Sequence, residues 1–271
     1  AQALVANTTG GDNTAVGRDS LGSNTTGDSN TGVGHYVMRA NTSGANNVAM
    51  GQQALLTNTT ASNNTAVGYQ ALKLNTAASN TAVGYQASLN TSTGYNNVSL
   101  GWSALKANTT GLSNIAIGSE AKELGATGDS NICIGRYAAR STTGSNNVAV
   151  GDSALFANST GSNNAAVGYQ ALYANTSASQ NTGVGVYALA TNQTGTANTA
   201  VGYQSLYQTT AGNNTALGHQ AGRGTTTGNA NVFIGTFTAY SNTTGTSNTA
   251  VGYSSLSYNL IGVQNTAMGR G

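Results

Sequence analysis

The sequence is distinguished first by what it lacks. It has no proline and one cysteine in 271 residues, and only 6% of its residues are charged, against roughly 25% in an ordinary globular domain. The single cysteine, Cys133, excludes an intrachain disulfide framework, and Cys and His are too few for the usual zinc sites. No apolar run of about 18 residues is present, so we expect no membrane-spanning segment.

Charge excludes a further class of partner. Nine Lys and Arg residues against seven Asp and Glu residues give a net charge of +2, and the basic residues are not clustered. A nucleic-acid interface needs a basic patch, so we expect no nucleic-acid partner. Strings resembling G-x-G-x-x-G carry no information in a chain with 37 Gly, and we expect no cofactor. The chain lacks a signal peptide and an initial Met, and we interpret it as a piece of a longer protein.

In place of charge, the sequence has repetition. The stretch NTAVGYQAL begins at Asn64 and returns with small changes at Asn80, Asn164 and Asn198. Aligned on the Gly of NTAVG, the chain divides into sixteen repeats, thirteen of 17 residues and three of 16. This strict register argues against disorder, and the period is too short for a helix pair or a propeller blade. We therefore predict an all-β parallel β-solenoid, or β-roll, of about sixteen 16–17-residue rungs, running over 1–271 as one continuous array.

One asparagine stands four residues before the closing Gly of every rung. Stacked at one spot, such side chains can bond to one another and to the backbone, as in the amide ladders of cross-β structures. The next residue is Thr, Val or Ile in fifteen rungs, and the one two further on is Val, Ile, Leu or Met in all sixteen. This alternation predicts a strand that buries these two rows. The predicted Asn ladder comprises Asn13, Asn30, Asn47, Asn64, Asn80, Asn97, Asn114, Asn131, Asn147, Asn164, Asn181, Asn198, Asn214, Asn231, Asn248 and Asn265.

Between those two rows lies a row that is small in fifteen of the sixteen rungs. Alternate residues of a strand face opposite ways, so we expect this small row to face away from the core of its own rung. A small, apolar outward row favours the close approach of a second chain. The alternative is a thin rung whose small row faces inward because space is short. The candidate chain–chain contact row comprises Ala15, Ala49, Ala66, Ala116, Ala149, Ala200 and Ala250.

The rest of the rung predicts a second buried row and a turn. The fourth residue after the closing Gly is Leu in ten rungs, which predicts a second strand that buries this Leu row. The Gly itself predicts a bend or bulge where a side chain would clash. The segment NTTG, as at Asn24 to Gly27, predicts a turn, and several of its asparagines begin N-x-S/T triplets that are glycosylation acceptors in a suitable host.

The turn threonines form a regular surface array. Such an array could bind ice or carry glycans, although a solvated turn is the interpretation we favour. Neighbouring residues of a strand point oppositely, so the pair TT fits an ice-binding face less well than T-x-T. The candidate surface-binding or glycan row comprises Thr9, Thr26, Thr60, Thr110, Thr160, Thr194 and Thr244.

The strand motif carries a resemblance to a known family. SNIAIG (Ser113 to Gly118), NNVAVG (Asn146 to Gly151) and NNVAMG (Asn46 to Gly51) resemble the head repeats of YadA-like trimeric autotransporter adhesins. The fuller form NTAVGYQAL…NTTGSNN resembles the long repeat arrays of bacterial surface proteins and related phage tail-fibre proteins, over essentially the whole chain. The resemblance implies a left-handed parallel β-roll in which three chains pack side by side. The rung here differs from the usual adhesin head repeat by an added Thr-rich turn.

The residue after each closing Gly is often aromatic. His35 and His219 occupy the place that Tyr69 or Trp102 occupies in other rungs, and we interpret both histidines as surface residues rather than as catalytic groups or metal ligands. Exposed aromatic rings in this row could stack on sugars. Rings that stack on each other along the edge of the rungs are the alternative, and we favour it.

The remaining reactive side chains do not group into a site. Cys133 stands in the small row, where we interpret it as a substitute for Ala and not as a nucleophile. Glu120 and Glu123 are close enough in sequence for paired acid–base work, but no His accompanies them. Asp12 and Asp28 lie near turns without the G-G-x-G-x-D context of calcium-binding rungs. We therefore expect no enzyme and no metal site.

These observations favour a structural protein. We expect an extracellular fibre or filament, or an adhesin shaft, on a cell surface or a virion, that associates with itself as a homotrimer or head to tail. Cell-surface or glycan ligands are possible partners. The competing hypotheses are a binding module with a Thr-rich face and a phage tail-fibre shaft.

Overall fold

The computed structural model describes residues 2–271, and these residues form two compact units that meet in sequence between Asn131 and Ile132. Within the described residues the only regular elements are three-residue β-strands. Unit 1 contains β1 (Thr14–Val16), β2 (Thr31–Val33), β3 (Val48–Met50), β4 (Thr65–Val67), β5 (Thr81–Val83), β6 (Val98–Leu100) and β7 (Ile115–Ile117). Unit 2 contains β8 (Ile132–Ile134), β9 (Val148–Val150), β10 (Ala165–Val167), β11 (Thr182–Val184), β12 (Thr199–Val201), β13 (Thr215–Leu217), β14 (Val232–Ile234), β15 (Thr249–Val251) and β16 (Thr266–Met268).

Within each unit, consecutive strands pair in parallel and in register. Thr65 of β4 lies beside Thr81 of β5, and Val67 lies beside Val83, even though only sixteen residues separate these two rungs. A missing residue is therefore absorbed outside the strand. Equivalent side chains stack at the spacing of neighbouring strands, about 4.8 Å. This confirms the predicted all-β parallel solenoid; the single array over 1–271 and the left-handed sense stay predictions.

The segment after each strand is a turn in which backbone N–H groups two residues apart point to opposite neighbouring rungs. Gln70 and Leu72 have φ of 57° and 51°, in the left-handed region that L-residues seldom adopt. The Gln70 N–H donates to Gln52 O of the preceding rung at 3.0 Å, whereas the Leu72 N–H donates to Ala87 O of the following rung at 3.0 Å. This rung thus bonds to both neighbours, and these bonds hold the strained φ values. The predicted second strand is absent, because residues with these positive φ values are not extended.

The closing Gly is required both by conformation and by space. Gly68 has a φ of +132°, and a Cβ built on it would lie 2.4 Å from the carbonyl oxygen of Gly84 in the next rung. Any side chain there would push two rungs apart. The predicted bend at this Gly is confirmed.

The core lies between the small row and the Leu row, which reverses the predicted orientation of the strand. The middle residue of the strand is fully buried, as at Ala66 and Ala82, while the flanking residues are half-buried or exposed. Ala49, Ala116, Ala149, Ala200 and Ala250 also have no exposed surface, and Ala15 is partly buried. The interpretation of these alanines as a chain–chain contact row is therefore wrong.

The reason is the width of the rung. A Cβ built on Gly183, in the small row, would lie 3.4 Å from Cγ of Leu172 in the same rung. The Leu row reaches across the interior and leaves room only for a methyl group on the strand. The predicted burial of the Leu row is confirmed, for example at Leu72, Leu105 and Leu172.

Exceptions to this packing occur in matched pairs. In one rung Ser88 replaces the Leu and Ser99 replaces the Ala, and the two hydroxyls bond at 2.9 Å. In another, Gly222 replaces the Leu and Phe233 replaces the Ala, and a Cβ on Gly222 would lie 2.7 Å from Cδ2 of the Phe233 ring. Both pairs remain fully or almost fully buried. The two rows therefore share one interior volume.

Candidate interaction surfaces

The Asn ladder is internal and holds the rungs together. The N–H of Asn47 donates to Oδ1 of Asn30 at 3.0 Å, and Oδ1 of Asn47 in turn accepts the N–H of Asn64 at 2.9 Å. The same bond repeats from Asn13 to Asn131 in unit 1 and from Asn147 to Asn265 in unit 2. The predicted amide ladder is present, and its side chains are buried along most of both units.

A second buried asparagine row runs beside the ladder, in the NTTG segment that was predicted to be a solvated turn. Nδ2 of Asn41 donates to Gly44 O at 2.9 Å, and Nδ2 of ladder residue Asn30 donates to the same oxygen at 2.8 Å. Each such carbonyl therefore joins two asparagines and two rungs. The signal was available in the sequence, since this Asn recurs seven residues after the closing Gly. The row comprises Asn24, Asn41, Asn58, Asn75, Asn108, Asn158, Asn175, Asn192 and Asn242, all with no exposed surface.

This burial removes most of the glycosylation acceptors. Asn24, Asn58, Asn108 and Asn242 begin N-x-T triplets, but their side-chain amides lie inside the folded units. An acceptor amide must be reachable at the surface. In the folded units these four triplets are structural.

The turn threonines form two rows, one whose hydroxyls bond to the next rung and one that is exposed to solvent. The Thr25 hydroxyl donates to Thr42 O of the next rung at 3.0 Å, and the Thr42 hydroxyl repeats the bond to Thr59 O at 3.1 Å. The following threonines, which form the candidate surface-binding row, are all exposed. Their predicted position at the surface is confirmed, while a ligand for them stays a prediction.

Aromatic residues collect along one side of the rungs. In unit 1 the rings of Tyr69 and Tyr85 stack with centroids 5.3 Å apart, and Trp102 continues the stack 6.2 Å beyond Tyr85. The interplanar angles are 15° and 10°. Most ring faces in this stack are therefore covered by other rings and not open to a ligand, which agrees with the interpretation we favoured.

In unit 2 the aromatic side is less regular. Tyr187 meets Tyr169 and Tyr203 edge-on, with centroid distances of 5.4 Å and 6.5 Å. Partial burial, followed by repulsion from the nearby Tyr169, raises the pKa of Tyr187 above its ordinary value. Arg223 lies over the rings of Tyr207 and Tyr240, at 5.5 Å and 5.6 Å from their centroids.

Basic residues lie on the same side of the rungs as the aromatic residues. Acidic residues occur only up to Asp152 in the sequence. Eight of the nine Lys and Arg residues occupy the first or fifth place after a closing Gly, the exception being Lys122. No Asp or Glu follows Asp152, which pairs with Arg136 at 2.9 Å. This one-sided arrangement was not predicted, because the basic residues are separated along the chain and are aligned only by the rung period.

Lys122 is the one fully buried cation among the described residues. It takes the place of a Leu, and its Nζ donates to the carbonyl oxygens of Gly125 at 3.2 Å and Thr127 at 2.7 Å. Gly125 stands where other rungs have the second-row asparagine. The Lys122 side chain thus fills the space of the Leu in its rung, and its ammonium group bonds to backbone carbonyls in place of the missing second-row asparagine.

The other reactive side chains lie apart. Cys133 is fully buried in the small row, as its interpretation as an Ala substitute requires. His35 stacks on Tyr36 at 3.8 Å, and His219 stacks on Tyr203 at 5.2 Å. Over residues 2–271, no cluster of three His, Cys, Asp or Glu residues could hold a metal ion.

The outward faces of the strands form an uncharged surface in each unit, with a mixed Thr and aliphatic row at the first strand position and an aliphatic row at the third. The first and third residues of every strand point outward, and among these thirty-two side chains none is charged. Val48, Met50 and Leu100 are 38%, 44% and 46% exposed. We call this surface the outer strand face. It was missed because the strand was assigned the opposite orientation.

Comparison with protein-family models, with curated proteins and with solved structures found no match to this chain. In the part of the chain that the structure describes, no helix has the length and apolar character needed to span a membrane.

Proposed function

We propose that this chain is a non-catalytic structural shaft, part of an extracellular fibre, filament or adhesin, in which copies of the chain associate through the outer strand face. The observation that carries the proposal is that the outward side chains of every strand in both units are uncharged, that the third position is aliphatic in all of them, and that these side chains are half-buried or exposed. Soluble monomers rarely expose contiguous apolar patches of more than a few hundred Å2. Such a surface marks a contact with another molecule.

A second copy of the chain is the partner that fits best. Its outer strand face repeats with the same rung spacing, so apolar rows can match along their whole length. No charged side chain on the face has to be desolvated. The resemblance of SNIAIG and NNVAVG to trimeric adhesin head repeats supports three chains, and extracellular placement on a cell or a virion rests on that resemblance too.

Regularity along the rungs supports the mechanical part of the proposal. Within each unit, neighbouring rungs bond to each other through the strand, the turn and the Asn ladder, and many rungs also through the second asparagine row, so a load across the rungs of a unit is shared by many similar bonds. The reactive side chains described above lie apart or inside the core. We therefore assign the function to the surface and the length of the shaft, and we expect no turnover of a substrate.

Light scattering of the purified chain tests the association. We expect a particle of about three times 27.0 kDa, or filaments visible by negative-stain microscopy. The double variant Val67→Lys with Val83→Lys places two charges side by side on the outer strand face and should give monomers. The matched control, Thr9→Lys with Thr26→Lys, places two charges in neighbouring rungs on the turn face and should leave the mass unchanged. A stable wild-type monomer, or association unaffected by the valine changes, contradicts the proposal.

A second candidate is a binding module that uses the turn threonines. It is favoured by the exposure of all seven residues of the candidate row and by the bonds that fix the neighbouring threonines, such as Thr25. Thermal hysteresis at micromolar protein, lost in Thr26→Lys with Thr60→Lys, would establish it. Ordinary freezing behaviour would exclude ice binding.

A further inference from the structure

A groove of about 290 Å3 opens on the aromatic side of unit 2, between the rungs that carry β15 and β16. The groove exists because the side chains on the aromatic side become smaller in the last of these rungs. The fifth place after the closing Gly holds Tyr207, Arg223 and Tyr240 in successive rungs, and then Ser257. Because Ser257 is short, one face of the Tyr240 ring is not covered by the side chain at the equivalent place of the next rung.

The lining of the groove combines flat rings with hydroxyl groups. Three aromatic rings and three serines form it, and none of these side chains carries a charge; they are Phe237, Tyr240, Ser241, Ser254, Ser257 and Tyr258. Tyr258 is 89% exposed. Small-molecule sites are typically apolar, with a few polar groups that fix orientation.

The main wall of the groove is held in position before any ligand arrives. Arg223, from the rung before, lies 5.6 Å from the Tyr240 ring centroid, and its Nη1 lies 3.4 Å from the Tyr240 hydroxyl. Phe237 packs edge-on against Tyr240 at 5.9 Å. Arg223 and the groove belong to rungs on opposite sides of Tyr240, so the groove side of the ring stays open. A fixed wall lowers the ordering cost of binding.

The floor is fixed too. Oγ of Ser257 lies 3.0 Å from the carbonyl oxygen of Phe237 and 2.6 Å from that of Ser254. With its proton engaged by the backbone, this hydroxyl offers lone pairs to a donor in the groove. The hydroxyls of Tyr240 and Tyr258 add groups that can both donate and accept.

From this lining we propose that the groove binds an uncharged pyranose unit of a glycan. The C–H face of a sugar ring is weakly positive and complements the negative face of a tyrosine ring, while its hydroxyls match the serine and tyrosine hydroxyls. A nucleic acid would need cations for its phosphates, and none lines the groove. Binding through calcium would need carboxylates, and the sequence has none after Asp152. This inference is independent of the proposed shaft function, since it concerns a different side of the rungs.

Saturation-transfer difference NMR with the full chain tests the groove, with the methyl pyranosides of glucose, galactose, mannose and N-acetylglucosamine as probes. We expect saturation of ring C–H protons for at least one probe. Ser257→Tyr should abolish it, because the new ring continues the row and fills the groove without removing a core contact. Tyr240→Ala should also abolish it by removing the wall.

The matched control is Tyr85→Ala, which removes an exposed tyrosine from the stack in unit 1. It should leave the saturation unchanged. Circular dichroism of each variant reports whether the fold is retained, and Ser257→Tyr decides the matter if Tyr240→Ala does not fold. Absence of saturation for every probe with the wild type, or equal saturation with Ser257→Tyr, overturns the proposal.

Discussion

The pair formed by Gly222 and Phe233 predicts that two damaging substitutions repair each other. Phe233→Ala alone removes a fully buried ring, a change that costs about 3–5 kcal/mol in protein cores. Gly222→Leu alone places its Cβ 2.7 Å from the Phe233 ring. Overpacking of this kind costs about 1–3 kcal/mol, and the left-handed φ of 60° at this place adds roughly 1 kcal/mol for a residue with a side chain.

Together, the two changes recreate the ordinary rung, with Leu in the Leu row and Ala in the small row. The backbone of such rungs accepts Leu at this place, since Leu206 in the preceding rung has a φ of 47°. The double variant conserves the interior volume, and volume-conserving exchanges cost less than about 1.5 kcal/mol. We therefore expect Gly222→Leu with Phe233→Ala to be more stable than either single variant.

Urea unfolding followed by circular dichroism measures these differences. Because repeat arrays need not unfold in one step, hydrogen exchange of the segment 219–235 should accompany it and report opening of this rung. Phe156→Ala is the matched control. It removes the same side chain from a half-buried place, where the ring stacks on Tyr173 at 5.2 Å, and should cost less than Phe233→Ala because less apolar area is lost. A double variant as unstable as the sum of the singles would refute the shared interior volume.

Three further outcomes follow from the Asn ladder, the small row and the aromatic side of the rungs. Asn47→Ala should lower the free energy of unfolding by on the order of 3 kcal/mol, because the buried N–H of Asn64 loses its acceptor. The control Asn46→Ser, at the exposed neighbouring residue, should be nearly neutral. Equal urea midpoints for the two variants would contradict the role of the ladder. Cys133 should react with thiol reagents only after unfolding, so modification of the native chain as fast as of the unfolded chain would contradict its burial. Since the pKa of Tyr187 is raised, the folded state holds that proton more tightly than the unfolded state. The associated stability is complete below the unfolded pKa of about 10 and is lost as pH rises through the folded value. Alkaline difference spectra of the wild type and Tyr187→Phe should therefore show this phenol ionising later than an ordinary one, and an earlier ionisation would contradict the assignment.

The period of the sequence was sufficient to predict the solenoid, its rung length and its asparagine ladder. A residue that recurs at one place in every rung must stack, and an amide in such a stack has bonding partners above and below it, as Asn30 and Asn64 are for Asn47. The closing Gly was predictable for the same reason, because a Cβ at this place in every rung would meet the backbone of the next rung, as at Gly68.

The orientation of the strand was not predictable from alternation alone. Period two shows that Thr65 and Val67 share a face and that Ala66 has the other, but not which face is inside. The choice depends on what lies opposite. Leu72 adopts a φ of 51°, a conformation seldom expected for leucine, and this turns its side chain into the interior. The space that remains fits an alanine and excludes a valine.

This inversion decides where a partner can bind. If the larger strand residues were inside, the outward surface would be a row of methyl groups with little area to bury. With Ala66 inside, Val67 and Val83 face outward beside each other, and the apolar rows continue through each unit. Burial of apolar area stabilises an interface by about 25 cal/mol per Å2, so exposure of the larger side chains gives the association its driving force. The valine-to-lysine exchange on β4 and β5 therefore tests the orientation of the strand and the proposed self-association in one measurement.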